Sequence, residues 1–374
     1  MPSRNSVLGS GAAVLLISAL ANPHPAQACP CVTLVGSHAE EVAQRALVVV
    51  NDDSLDYILQ LAVEGDASEL GWLVPTPALP DDPVLVEDTF LSSLDDATAP
   101  FLHACSGGGG CDAQTLRADK GNSAVTVWSE GRIENLEFAV VSSSSSSELA
   151  TWLADRGYQL DAAAQARVDD YASRAWFFVA LRVSGTALQG DRPSLGPLRI
   201  HIPTAGTPIF PLGMTALSTN ARVSLLLFIA ADNRMAPANY PLVTIDGSAL
   251  RADEEGGSNY DALVRRAIDA EGKGFLVEFA GDAPSYAASD PALQVLLEGK
   301  QMVRLYTDVE PAALNQDLLL EERTSVETPY YPCLPSEGTD DTGCASAGQI
   351  GMSALPLLTV LGLLVRLRRH RGAR

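Results

Sequence analysis

Cysteine and histidine come close in the sequence at one place: His103 precedes Cys105 by two residues, and Cys105 and Cys111 enclose Ser106 and four glycines. A thiolate beside an imidazole is the arrangement of a cysteine nucleophile. With Cys29 and Cys31 the same residues would offer zinc a soft ligand set, but Cys29-Pro30-Cys31 and the gap between Cys105 and Cys111 match neither common zinc spacing. The start of the chain reads as an export signal, and cysteines outside the cytoplasm are most simply disulfide material. Glycines 107–110 allow the unusual backbone angles that a small covalent ring demands. Cys105–Cys111 is therefore the expected bridge, and Cys29 or Cys31 is a candidate partner for Cys333. Cys344 is a candidate for tail processing, which would leave one cysteine over.

Other catalytic patterns fail on spacing. A serine nucleophile calls for a Gly-x-Ser-x-Gly elbow and a histidine; no such elbow occurs, and the central region holds only His38, His103 and His201. Glycines 107–110 lack the Lys-Ser/Thr of a phosphate loop, and Gly272-Lys273-Gly274 lacks the earlier glycine. Asp52-Asp53, Asp81-Asp82 and Asp95-Asp96 are adjacent pairs, not the alternating acids of a calcium loop. Two carboxylates for glycoside hydrolysis can lie far apart in sequence, so 46 acidic residues nominate no particular pair. Trp72, Trp128, Trp152 and Trp176 fall on expected strands or helix faces and read as core. No catalytic residue, cofactor or metal site is assigned.

The elements that would position any site alternate between the two periods. Ala46 to Val63 reads as two strands around the turn Asn51-Asp52-Asp53, and Leu70 to Val74 as another, closed by Pro75, Pro77 and Pro80. A helix is expected from Asp88 to Ser93 or a little beyond, paired strands over Ala124–Trp128 and Leu136–Val141, and a helix over Glu148–Arg156 capped by Ser147 and ended by Gly157. Asp161 opens a second helix through Tyr171. Strands follow at Trp176–Val183, Leu198–Ile202, Met214–Ser218 and Val223–Ala230. Tyr260–Ala270 has helical apolar spacing; strands at Gly274–Ala280 and Met302–Thr307 flank a helix near Pro291–Leu297. The fold class is mixed α+β, strand-rich, with several short helices.

Both ends speak of a membrane. Arg4, the apolar stretch Val7–Ala21 and the small residues of Ala26-Gln27-Ala28 make residues 1–28 a signal peptide. Residues 29–320 form the expected extracytoplasmic globular region, and the proline- and acid-containing stretch 321–344 a stalk. Residues 345–365 carry no charge and approach the roughly 20 apolar residues that span a bilayer. Arg366, Arg368, Arg369, Arg371 and Arg374 follow, a basic tail expected on the cytoplasmic side, so the membrane is the partner of the C-terminal helix. Six of the 25 basic residues and none of the 46 acidic ones lie in the two end segments, so the part between holds 19 against 46, a net charge of −27. Such a charge repels phosphate backbones, and no nucleic-acid partner is expected.

Several segments, in order, resemble the bacterial domain-of-unknown-function family numbered 2330. They are Gln44-Arg45-Ala46, Tyr57-Ile58-Leu59-Gln60 with Gly65-Asp66, Gly71-Trp72-Leu73-Val74-Pro75-Thr76-Pro77, Leu153–Leu160 and Ala175–Arg182. Pro237-Ala238-Asn239-Tyr240, Gly257-Ser258-Asn259-Tyr260 and Arg304-Leu305-Tyr306-Thr307 complete the set. The resemblance implies an exported protein and carries no activity or catalytic residue with it. Gly343-Cys344-Ala345-Ser346-Ala347-Gly348, followed by the apolar run and its arginines, is similar to the C-terminal sorting tails of myxobacteria, which implies cleavage near Cys344 and display on the cell surface. The expected function is a membrane-anchored surface or envelope protein acting as a binding or structural module; the alternative is an extracytoplasmic hydrolase using dispersed carboxylates.

Overall fold

Leu47, Val48 and Val49 are all fully buried, although successive side chains on a strand point to opposite faces. A run of that kind needs cover on both sides. The computed structural model describes residues 38–66, 69–100, 102, 126–133, 136–143, 145–184, 194–204, 206–218, 220–252 and 258–331.

The chain opens with β1 (His38–Val50), β2 (Ser54–Asp66), β3 (Glu69–Thr76), β4 (Val84–Leu85) and helix α1 (Phe90–Thr98). Next come β5 (Thr126–Ile133), β6 (Leu136–Ser142), helices α2 (Ser146–Asp155) and α3 (Ala162–Ser173), β7 (Phe177–Ser184), β8 (Ser194–Pro203) and β9 (Ile209–Phe210). The remainder is β10 (Val223–Ala231), β11 (Met235–Pro237), β12 (Leu242–Val243), α4 (Tyr260–Glu271), β13 (Phe275–Asp282), α5 (Pro291–Leu297), β14 (Gln301–Val309) and β15 (Leu318–Glu322).

An eight-stranded mixed sheet, ordered β12-β13-β14-β10-β1-β2-β8-β4, carries β1 at its centre, parallel to β10 and antiparallel to β2. On one face Leu47, Val49, Ile58 and Phe228 pack under α1 and α5 through Phe90, Leu91, Leu94, Leu293 and Leu297. On the other, Val48, Tyr57, Ile200 and Leu227 meet Val140, Val179 and Leu181 of an antiparallel four-stranded sheet, β3-β7-β6-β5. Helix α4 joins the same core through Val264 and Ile268. The far face of the four-stranded sheet is roofed by α2 and α3, where Leu149, Trp152, Val168 and Tyr171 cover Ala139, Val141, Phe178 and Ala180. At roughly 1.5–3 kcal/mol for each large apolar side chain removed from water, these three cores drive the layering. Gly196 lets β8 cross β2 closely: its φ is 89°, and a Cβ there would stand 2.5 Å from the carbonyl oxygen of Leu59.

The strand-rich α+β class is the expected one, and several details differ from expectation. Helix α1 runs Phe90–Thr98, not Asp88–Ser93, because Phe90, Leu91 and Leu94 form its buried face. The cap of α2 is Ser145, not Ser147; its side chain accepts from the Glu148 amide. Residues 215–217 form a single 3₁₀ turn instead of a strand, with Met214 and Thr215 buried side by side where a strand would alternate. Trp128 is 52% exposed. It lies on edge strand β5 at a register shift between Val127 and Ser129, and its indole N–H donates to Ser142 Oγ.

The segment read as a stalk from residue 321 begins packed. β15 continues to Glu322, Val326 is buried, Thr328 hydrogen bonds with the Ala280 backbone, and Tyr331 contacts the Tyr260 ring. No helix among the described residues is long and apolar enough to cross a membrane; residues 1–28 and 345–365 lie outside them.

Candidate functional site

The helical roof over the four-stranded sheet stops short of its end. Strand alternation continues beyond it on the same face, now with charged residues. In register, Ala139 pairs with Ala180 beneath the roof, and one step of the pleat further Glu137 pairs with Arg182 on β7 and with Arg132 on β5. Helix α2 ends at Asp155, Arg156 is its C-cap, and Gly157 turns the chain with φ 84°. Tyr158 is then brought back against the helix by a bond from its amide to the Leu153 carbonyl. Floor and wall together enclose a cleft of about 650 Å³.

Three guanidiniums (Arg132, Arg156 and Arg182) and two carboxylates (Glu130 and Glu137) line the cleft, with Trp152 and Tyr158. The Arg156 guanidinium lies 3.9 Å over the Trp152 ring, a cation–π contact worth about 0.5–2 kcal/mol. Its nearest approach to Glu130 is 4.0 Å, and Arg132 stands 3.6 Å from Glu137. Both pairs are too long for hydrogen bonds. Burial pushes the Tyr158 phenol well above the usual tyrosine range, opposed by Arg182 and Arg156 and helped by Glu137. It therefore serves the cleft as a protonated donor. The Trp152 indole N–H is buried and has no hydrogen-bond partner among the described residues.

Charge is handled differently elsewhere. Arg304, on β14, holds Glu278 at 2.6 Å and Asp95 at 2.8 Å, and Glu278 also accepts from Tyr260 Oη at 2.6 Å. Asp308 joins Arg222 at 2.6 Å and Arg265 at 2.7 Å, pinning α4 to the sheet. Asp317 accepts from Tyr171 Oη, Arg174 and the Gly213 amide, tying α3 to the segment before β15. These are structural clamps with short, directed bonds. Asp56 Oδ1 takes Arg199 at 2.8 Å and His201 Nδ1 at 3.0 Å. Among the described residues no serine, threonine or cysteine hydrogen bonds to His201. No group of three or more His, Cys, Asp or Glu among the described residues is placed to hold a metal ion.

Of the residues singled out by chemistry in the sequence, Cys29, Cys31, Cys105, Cys111, Cys333, Cys344 and His103 lie outside the described residues. His201 pairs with Asp56 far from the cleft lining. Trp152 and Trp176 are core residues as expected. The cleft residues themselves were not singled out as a site. The available signal was slight: Glu130 and Arg132 two residues apart on β5, and a single charge in each of two apolar strands, Glu137 on β6 and Arg182 between Leu181 and Val183 on β7.

Fold and cleft thus define a layered, strand-rich α+β protein with an arginine-lined cleft where its helical cover ends. The chain belongs to the bacterial family described as "Uncharacterized protein conserved in bacteria (DUF2330)", whose profile matches residues 25–320. Two of the segments that carry the resemblance, 153–160 and 175–182, supply Arg156, Tyr158 and Arg182 to the cleft. No curated protein matches the sequence. Among solved structures, baculovirus P35 is similar at a TM-score of 0.37 and 10% identity, over 78% of this chain and 99% of that one. A mutated baculovirus P35 after caspase cleavage gives 0.33 and 10%, over 76% and 99%.

Proposed function

We propose that this protein is an exported, membrane-anchored surface or envelope component whose body is a binding module, with the cleft on the four-stranded sheet as its binding site. The composition of that cleft carries the reading. Its charged and aromatic side chains sit on hydrogen-bonded strands and a capped helix, and no serine, threonine, cysteine or histidine lines it among the described residues. Convergent charged groups beside the aromatic rings of Trp152 and Tyr158 suit recognition of a small polar ligand. Export and anchoring are supported by the signal-like start and by the uncharged run 345–365 with its arginines.

A second reading, an extracytoplasmic hydrolase, draws on Glu130 and Glu137 sharing the cleft, since glycoside hydrolysis uses two carboxylates. Each, however, has a guanidinium as its charged neighbour. Expression of the full gene in a bacterial host, followed by protease treatment of intact cells, tests the display. The body is digested from outside if the proposal holds, and full-length product in the cytosol overturns it. Turnover of a glycoside that disappears in Glu137→Gln favours the hydrolase.

A further inference from the structure

We infer that the cleft takes a small, singly charged carboxylate whose other polar groups are hydrogen-bond donors, the chemistry shared by uronic acids and amino acids. The inference rests on the binding reading above and names its ligand class.

The first observation is local charge. In a region of net charge −27, the described residues of the cleft reverse the sign, with three arginines against two glutamates. The second is unused donor capacity. Elsewhere among the described residues arginines close on their carboxylates at 3.0 Å or less, as Arg304 does on Glu278 and Arg174 on Asp317. In the cleft the separations are 3.6 Å and 4.0 Å, so the guanidinium forks of Arg132 and Arg156 are not consumed by Glu137 and Glu130. A guanidinium fork matches the two oxygens of a carboxylate in one plane.

Donors also outnumber acceptors. Tyr158 adds a phenolic O–H, while the acceptors among the charged and aromatic lining are the two glutamates. A ligand answering this set presents an anionic acceptor toward the arginines and hydroxyl or ammonium donors toward Glu130 and Glu137. The same two carboxylates work against a doubly charged phosphate. A volume of about 650 Å³ suits a ligand of monosaccharide or amino-acid size.

Calorimetric titration of the full-length protein with glucuronate, serine, glucose, putrescine and inorganic phosphate tests this. One of the two carboxylates binds at least about tenfold more tightly than the other three classes of probe, and Arg132→Gln weakens it by about tenfold or more. The Arg132 side chain is 41% exposed, so this variant keeps the wild-type melting temperature; Arg132→Lys, which retains charge without the fork, recovers part of the affinity. Preference for glucuronate or serine identifies the source. Glucose, putrescine or phosphate binding as tightly as the carboxylates, and weakened by Arg132→Gln, overturns the ligand class and leaves the cleft a binding site. If no probe of any charge binds, the ligand class and the binding reading fall together.

Discussion

Arg156 sits over Trp152, its guanidinium carbon 3.9 Å from the ring centre, while its nearest nitrogen stops 4.0 Å from Glu130. The two residues are one helical turn apart on α2, so the last turn of a single helix fixes both. Stacking occupies the face of the guanidinium and leaves its N–H edge for the cleft. The packing core and the candidate site thus share one contact.

That contact makes Trp152 a reporter. Occupation of the cleft should change tryptophan emission in the wild-type protein, and Trp152→Phe should remove most of the change. Trp176→Phe should leave it intact, because Trp176 stacks on Tyr171 away from the cleft lining. A signal that survives Trp152→Phe would show that the perturbed indole is elsewhere.

The clamp between β13 and β14 predicts a different asymmetry. Arg304 is 6% and Glu278 4% exposed, and their bond is 2.6 Å. Glu278→Ala leaves the buried guanidinium with Asp95 as its remaining carboxylate and Thr98 Oγ1 as a neutral acceptor, strands the Tyr260 hydroxyl, and should cost about 3 kcal/mol. Replacing both partners, as Glu278→Leu with Arg304→Met, should recover much of that loss, since apolar packing needs no compensating charge. Denaturant midpoints of the three proteins decide it. Equal losses in single and double variants would mean that the pair itself, not the orphaned charge, sets the energy.

The strands were legible in the sequence wherever burial on both faces wrote an unbroken apolar run, as in Leu47-Val48-Val49 and Val223–Ala230. Helix α3 was legible through Asp161, which caps it at 2.7 Å, and α4 through the spacing of Leu263, Ile268 and its alanines, although Val264 and not Leu263 is the residue fully buried beside Ile268. The cleft was not, because its residues come from three strands and a helix end, brought together by the register of β5, β6 and β7. Sequence spacing carries no record of which charged strand positions become neighbours. Trp128 failed for a related reason: nothing in Thr126–Ile133 says that its strand lies at an edge. The family resemblance marked 153–160 and 175–182 without saying why they matter; their placement in the cleft gives a physical reason.

Caps offer a graded test of the roof above the cleft. Asp161 accepts the Ala164 amide at 2.7 Å, whereas Ser145 accepts the Glu148 amide at 3.4 Å. Loss of a cap costs about 0.5–2 kcal/mol. Asp161→Ala should fall near the upper end and Ser145→Ala near the lower, measured as shifts in chemical-denaturation midpoint. The reverse order would indicate that hydrogen-bond length at the cap does not control the stability of these helices.

Alkaline pH should weaken the fold through its buried phenols. Burial is the main cause that raises Tyr171 and Tyr260 above the ordinary tyrosine value, with Asp317 and Glu278 respectively adding to it. Burial likewise raises Tyr240 and Tyr331, each pushed up to about 12. In the unfolded chain all four titrate near pH 10. Below that value both states hold the protons and the stabilisation is fully present. Above it the unfolded state releases protons that the native state keeps, so unfolding free energy falls as pH rises from about 10 through 12. Denaturant midpoints measured from pH 8 upward should therefore stay flat and then drop, with tyrosinate absorbance rising in step with unfolding. Tyr260→Phe should blunt the drop. Tyrosinate appearing fully at about pH 10 in a protein that remains folded would contradict the buried placement of these rings.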